Sequence, residues 1–240
     1  MKKHCRSCED SFLAQYRAQI FCSITCSNRH NLNNKNKVIF PKKFNRELAE
    51  LFGVLLGDGG VEKYFVRIYL NRTADRGYSQ ILMALIRSLF PEIKVTCIDR
   101  EKRGTEEVQI SSIDMCNYLR KIGFDPKLRN IPDWIINDIE FTKATIRGLF
   151  DTEGSIGIKS YQGKNGLVIY KQLVVTNKNK NILRFLEDGL SKLGYRPTRN
   201  SDKNIYISNR EDIARYFLEI GTSNPKLKKK FDGKFENVSE

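Results

Sequence analysis

The sequence predicts an α+β protein made of two similar halves on a pseudo-twofold axis, preceded by a small metal-stabilised module. Three observations carry that expectation: an internal repeat, strand-like alternation within it, and four cysteines paired near the N-terminus. RELAELFGVLLGDGG (46–60) is answered by TKATIRGLFDTEGSIG (142–157), and VQISSIDMCNYLRKIGFDPKL (108–128) by IYISNREDIARYFLEIGTSNPKL (205–227). A solenoid needs three or more copies, so two copies point to a dimer-like domain on one chain, and a monomer is expected. The 240 residues allow one large domain or two of about 100–150 residues. The expected organisation is a cysteine module with a basic linker over 1–43, a first repeat over 44–130, an inter-repeat linker over 131–141 and a second repeat with a basic tail over 142–240.

The N-terminal cysteines read C-x2-C-x13-C-x3-C, at Cys5, Cys8, Cys22 and Cys26. Two close pairs bring four thiolates to one point, the tetrahedral set that structural zinc prefers. About forty residues cannot hold an apolar core without a metal or disulfides. Disulfides are disfavoured because MKKHCRSCED has no signal-peptide core. His4 and His30 read as exposed polar residues, and Cys97 and Cys116 as small core residues. SNRHNLNNKNKVIFPKK (27–43) reads as a basic flexible tether.

Within the first copy, 46–57 is helix-like. VRIYLN alternates, with Val66, Ile68 and Leu70 on one side and Arg67, Tyr69 and Asn71 on the other, which predicts a half-buried strand. SQILMALIRSLF has helical spacing, EVQIS alternates, and SIDMCNYLRKIG opens at an N-cap Ser112 and stops at Gly123. The second copy repeats this order: SIGIKSY and KQLVVT strand-like, NILRFLEDGLSKLG helical, NIYIS a strand and REDIARYFLEIG a helix. Each half therefore reads helix, hairpin, helix, hairpin, helix. Trp134 reads as linker or core packing, and KLKKKF (226–231) as a phosphate-contacting or disordered tail.

Lysine and arginine number 42 against 28 acidic residues, a net charge of +14, and residues 1–43 alone supply half of that excess. The natural partner of such a surface is a nucleic acid. No apolar run approaches the ~20 residues of a membrane span, so an intracellular protein without a membrane partner is expected.

The two opening helices carry the chemistry. Gly53 and Gly57 lie four apart, as do Gly148 and Thr152, a spacing that lets two helix backbones approach closely. Each helix ends in an acid followed by glycine, Asp58-Gly59 and Glu153-Gly154. A carboxylate at a helix C-terminus opposes the macrodipole by about 0.3–1 kcal/mol, and two such acids meeting on a pseudo-twofold axis also repel. A divalent cation relieves both problems, since carboxylate oxygens ligate Mg2+. One acid per half suits metal-assisted phosphodiester hydrolysis.

LFGVLLGDG (51–59) and IRGLFDTEG (146–154) resemble the two motifs of a single-chain LAGLIDADG homing endonuclease, over about residues 44–230. The resemblance implies two αββαββα halves whose helices pack at the centre and whose antiparallel sheets form a saddle over double-stranded DNA. It also implies that Asp58 and Glu153 are the catalytic acids, binding Mg2+ and activating water. Leu56 stands where the family often has Asp, which Asp151 keeps in the second copy. The cysteine module is similar to zinc ribbons appended to such enzymes.

On that footing, Arg67, Tyr69, Asn71 and Gln109 in the first half and Lys159, Tyr161, Gln172 and Tyr206 in the second share the strand face that meets DNA. Arg, Asn and Gln suit base edges, Lys and Tyr suit phosphates. Lys127 and Lys226, each after proline, are candidate cations beside the scissile phosphate. A maturase of the same fold would bind intron RNA instead, and a regulator would bind DNA without cutting it.

Overall fold

The computed structural model describes residues 1–33, 38–163 and 166–232, and it divides into two units, Met1–Lys37 and Val38–Glu240. The division falls earlier than the 43/44 boundary read from the sequence, because Val38 and Phe40 pack on the core of the larger unit. In the small unit, β1 (Lys2–His4) and β2 (Ser11–Leu13) form an antiparallel hairpin with Lys2 opposite Leu13. The helix α1 (Ile24–Asn33) follows. It opens where the Ser23 hydroxyl accepts the Cys26 N–H at 3.1 Å. The tether reading is thus corrected for residues 27–33, which are helical; residues 34–37 lie outside the described residues. Their Asn-rich composition hid a helix anchored by its cap.

The larger unit runs α2 (Arg46–Asp58), β3 (Gly59–Val61), β4 (Phe65–Asn71), α3 (Tyr78–Leu89), β5 (Val95–Arg100), β6 (Thr105–Ser111) and α4 (Ile113–Lys121). A short α5 (Asp133–Ile136) leads into the second copy. That copy runs α6 (Ile139–Glu153), β7 (Gly154–Gly163), β8 (Gly166–Thr176), α7 (Lys180–Lys192), β9 (Thr198–Ser201), β10 (Asn204–Ile207) and α8 (Arg210–Glu219), before a final α9 (Pro225–Asp232). Residues 131–141, read as a linker, thus contain α5 and the first residues of α6. The expected tail over 226–231 is the helix α9, because Leu227 is fully buried and Phe231 stacks on Phe217 with ring centroids 3.8 Å apart.

Side chains of one type start these helices. Asn45, Asp138, Asn179 and Asn209 cap α2, α6, α7 and α8, and Ser112 caps α4, each accepting N–H groups of the first turn. Each half has a four-stranded antiparallel sheet, in the order β3-β4-β6-β5 and β7-β8-β10-β9. The strand alternation sorts as read: Val66, Ile68, Leu70, Val108 and Ile110 are buried in the first sheet, and Leu173, Val175, Ile205 and Ile207 in the second. The helices α3 and α7 bring apolar stripes such as Leu82–Ile86 and Leu183–Leu186 to the common core.

Cys116 is buried, but Cys97 is exposed, against expectation. It sits on β5, an edge strand, where its apolar neighbours in sequence do not enclose it. Trp134 packs as expected, stacked on Phe44 at 4.2 Å with its indole N–H donated to the Ile122 carbonyl at 2.9 Å. His4 is exposed, while His30 is half-buried against the Phe21 ring at 5.0 Å.

Candidate active site

The central helices α2 and α6 approach to backbone contact, and three residues decide how closely. A Cβ on Gly53 would lie 2.2 Å from the Thr145 carbonyl oxygen, and one on Gly148 would lie 2.2 Å from that of Glu50. A Cβ on Gly57 would lie 2.1 Å from the Thr152 hydroxyl. Contacts run in the same order along both helices, so the helices are parallel and their C-terminal ends meet. The Thr145 hydroxyl, donating to the Ala49 carbonyl at 3.1 Å, adds a polar tie within this apolar seam.

Asp58 and Glu153 are the last residues of α2 and α6, and each is followed at once by the first strand of its sheet. The glycine after each acid answers to crowding and not to backbone handedness. Gly59 and Gly154 have φ of −95° and −86°, yet a Cβ would lie 2.4 Å from the Leu55 Cα and 2.2 Å from the Phe150 oxygen. Burial pushes the Asp58 carboxyl up to about 6, with the Asp75 carboxylate adding to the shift and Lys226 and Arg129 opposing it. Burial likewise pushes Glu153 up to about 7, helped by the charge of Asp58 and opposed by Arg129 and a hydrogen bond from Asn177. That bond runs from the Asn177 amide to Glu153 Oε1 at 2.9 Å. The charge of Asp58 therefore reaches Glu153 in a partly dry place, and the hard oxygen donors of the two acids fit a divalent cation such as Mg2+.

The strained pair has a consequence for stability. Both folded-state values lie above the ordinary 3.8 and 4.5, so the folded protein binds these protons more tightly than the unfolded chain. Their stabilising contribution is complete below about pH 4 and is lost as pH rises through 6 and 7. The metal-free protein is expected to unfold at lower denaturant at pH 8 than at pH 5. Asp58→Asn with Glu153→Gln should flatten part of that slope, the remainder belonging to the buried Asp151, also raised to about 7 by burial. An unchanged slope in the double variant would overturn this assignment.

Asp151 points away from the acid pair. Its carboxylate accepts from the Thr222 hydroxyl, from the Ser223 N–H at 2.9 Å and from the Tyr78 hydroxyl at 3.4 Å. It thereby fastens the loop after α8 to the central helix. The first half has Leu56 at the matching position, and there the loop after α4 is fastened by Arg129. Its guanidinium donates to the carbonyls of Leu56, Gly57 (2.7 Å) and Gly59 (3.1 Å) at the end of α2. One anchor is a side chain receiving backbone and hydroxyl donors; the other is a side chain donating to backbone.

Of the two lysines read from the repeat, the structure places one near the acids. Lys226 Nζ lies 2.9 Å from Asp75 Oδ1, and its charge reaches Asp58. Asp75 is buried and also accepts from the Asn71 N–H and the Asn224 amide, each at 3.0 Å. Lys127 is exposed, its N–H goes to Asp125 at 2.7 Å, and its charge acts on Asp125. The shared phrase is an Asx turn in both halves, Asp125 accepting from Lys127 and Asn224 from Lys226. Asp75, Arg129 and Asn177 were missed; the basic residue that follows Pro-Lys-Leu in each copy, Arg129 and Lys228, was a readable signal for one of them.

On the sheet faces turned from the core, Arg67 donates to Gln109 at 2.8 Å and to Glu62 at 2.7 Å, from opposed positions in β4 and β6. Tyr69 is exposed. Asn71 serves a turn, accepting the Thr73 and Ala74 N–H groups at 3.1 and 2.8 Å. In the second sheet Lys159 is exposed and Tyr206 half-buried. Gln172 departs from expectation, being buried with its amide given to the Ser208 hydroxyl at 2.8 Å. Tyr161 lies in β7, its side chain outside the described residues.

In the small unit the sulfurs of Cys5, Cys8, Cys22 and Cys26 all lie within 4.8 Å of one another, with Cys8–Cys22 at 3.6 Å and Cys22–Cys26 at 3.5 Å. A tetrahedron with Zn–S bonds of about 2.3 Å has S···S edges of about 3.8 Å, so the set fits zinc. Hydrogen bonds with its neighbours Cys26 and Cys5 push the Cys22 thiol up.

Residues 140–221 match the family model described as the LAGLIDADG-like domain. The LAGLIDADG fold extends to both halves. The solved structure of I-DmoI in complex with DNA and Mn is 21% identical, covers 73% of this chain and 96% of its own, and superposes with a TM-score of 0.53. The N-terminal LAGLIDADG domain of DUF199/WhiA is 16% identical over 74% of this chain and 83% of its own, at a TM-score of 0.50. Among curated proteins, the replication factor C small subunit of Methanocaldococcus jannaschii is 25% identical over 200 residues, 78% of this chain. The chain spans about a tenth of the length of that relative. Among the described residues, no helix is long and apolar enough to cross a membrane.

Proposed function

We propose that this chain is a Mg2+-dependent, site-specific double-strand DNA endonuclease of the homing type, with a zinc-held N-terminal module that adds DNA affinity. One observation carries the reading: two parallel helices in backbone contact end in Asp58 and Glu153, partly buried acids of which the first acts on the second through its charge. Groups so perturbed mark sites of chemistry more often than structural pairs. The net charge of +14 and a similar fold solved in complex with DNA and Mn support the substrate class.

In this reading Asp58 and Glu153 hold the cation, and Asn177 fixes the orientation of Glu153. Bound Mg2+ supplies an activated water and charge stabilisation for in-line displacement. Lys226, held by Asp75 at 2.9 Å, would meet charge developing on the phosphate. Polar side chains of the two sheets, the exposed Tyr69 and Lys159 and the half-buried Arg67 and Tyr206 among them, would contact bases and phosphates. The four cysteines would hold Zn2+, which supplies the fold of the small unit.

The purified chain is expected to cut a randomised duplex library in Mg2+ at one family of sites, read by sequencing the ends. Retention of duplex without cutting would favour a regulator. Selective retention of structured intron RNA would favour a maturase.

A further inference from the structure

We propose that Arg129 is a positioning residue for the acid pair: a resident cation that locks the end of α2 and shields Asp58 and Glu153 until a divalent ion arrives. The inference rests on the reading of that pair as a cation site, and it adds a residue from outside both helices.

Three facts meet at this side chain. Its guanidinium donates to the carbonyls of Leu56, Gly57 and Gly59, which flank Asp58 on both sides. These are the carbonyls at the negative end of the α2 dipole, where a cation is favoured and a carboxylate is not. Among the described residues, Arg129 is also the one whose positive charge is felt by both Asp58 and Glu153; that of Lys226 is felt by Asp58. Finally, the residue holds φ at 50°, a backbone conformation that a non-glycine side chain rarely adopts. The loop after α4 thus takes a strained shape that seats the guanidinium, and the strain is offset only where the contacts are made.

A second comparison sharpens the role. The loop after α8 is fastened to α6 through Asp151, and that anchor brings no positive charge to Glu153. Fastening alone therefore does not require an arginine. What Arg129 adds is charge, delivered on a planar guanidinium whose two terminal nitrogens donate to three carbonyls at once.

The test is a melting series on the full chain with and without Ca2+, which binds carboxylates at such sites without necessarily supporting turnover. Arg129→Met is expected to lower the midpoint by about 4–8 °C without metal, and Ca2+ should restore much of that loss, giving a larger upward shift than in the parent protein. Arg129→Lys should fall between the two. Arg147→Met is the control: Arg147 donates to the Ile220 carbonyl at 2.8 Å and pairs with Glu50 at 3.3 Å, away from the acids, and its loss should not be restored by Ca2+. A Ca2+ shift in Arg129→Met no larger than in the parent overturns the proposal.

If Arg129→Met does not fold, the same coupling is read in a background of Asp58→Asn with Glu153→Gln. There Arg129→Met should be tolerated better than in the parent, and an equal loss in both backgrounds overturns the proposal. Failure of the underlying reading looks different: Ca2+ then shifts no variant, the parent included, while the double-variant comparison still reports whether Arg129 acts through the pair.

Discussion

Asp58→Asn and Glu153→Gln are each expected to reduce DNA cleavage by about 10^3-fold or more while leaving DNA binding in place. A factor of that size corresponds to about 4 kcal/mol of transition-state stabilisation, the scale lost when a metal ligand or a charge-stabilising group is removed. Binding should survive because neither acid lies on the polar sheet faces, and because removing negative charge from a site facing phosphates does not oppose a polyanion. The same substitutions should stabilise the metal-free fold at pH 8, by about 1–2 kcal/mol each after allowing for solvent screening of these half-buried groups. Loss of cutting with a gain in stability separates a functional carboxylate from a structural one. Single-turnover cleavage, fluorescence anisotropy on the same duplex and chemical unfolding measure the three quantities. Undiminished cutting by either variant rejects the nuclease reading.

The second large effect concerns the seam between α2 and α6. Gly148→Ala would put a methyl 2.2 Å from the Glu50 oxygen and 2.7 Å from the Val54 nitrogen, both backbone atoms that cannot rotate away. The helices must part, and overpacking of this kind costs about 3 kcal/mol, or roughly 6–12 °C in the melting midpoint for a domain of this size. Gly57→Ala makes the useful contrast. Its clash is with the Thr152 hydroxyl and Cβ at 2.1 and 2.9 Å, so adding Thr152→Gly should restore stability despite the poor helix propensity of glycine. No such rescue is available at Gly148. Thermal unfolding of the three variants decides it; a Gly148→Ala protein as stable as the parent would mean that the helices do not pack as described.

Much of this was legible in the chain because a duplication writes the same constraint twice. The glycine spacing in 51–59 and 146–154 identified the seam, and the paired acids identified its end. The alternation of Val66, Ile68 and Leu70 against Arg67, Tyr69 and Asn71 identified which strand face is open. What escaped was contributed by one copy alone. Asp75, Arg129 and Asn177 come from loops, and their roles depend on a partner far along the sequence: 151 positions separate Asp75 from Lys226. Lys127 differs from Lys226 for another reason. Symmetry of the Pro-Lys-Leu phrase suggested a shared role, but Lys226 of the second half reaches across to Asp75 of the first, whereas Lys127 is exposed beside Asp125. Gln172 has the open-face parity yet is buried, because periodicity fixes direction and says nothing of what lies overhead. The helices α1 and α9 were hidden by asparagine and lysine, residues as common in tethers as on solvated helix faces.

No residue separates Asp58 from β3 or Glu153 from β7. A single peptide unit therefore joins the blade to the ruler: the offset between the surface that would measure a sequence and the point that would sever it is written into the covalent chain. On the endonuclease reading, side chains on the sheets could then be exchanged to alter which bases are preferred without altering where the break falls, so recognition could drift through evolution or be redesigned at constant cutting geometry.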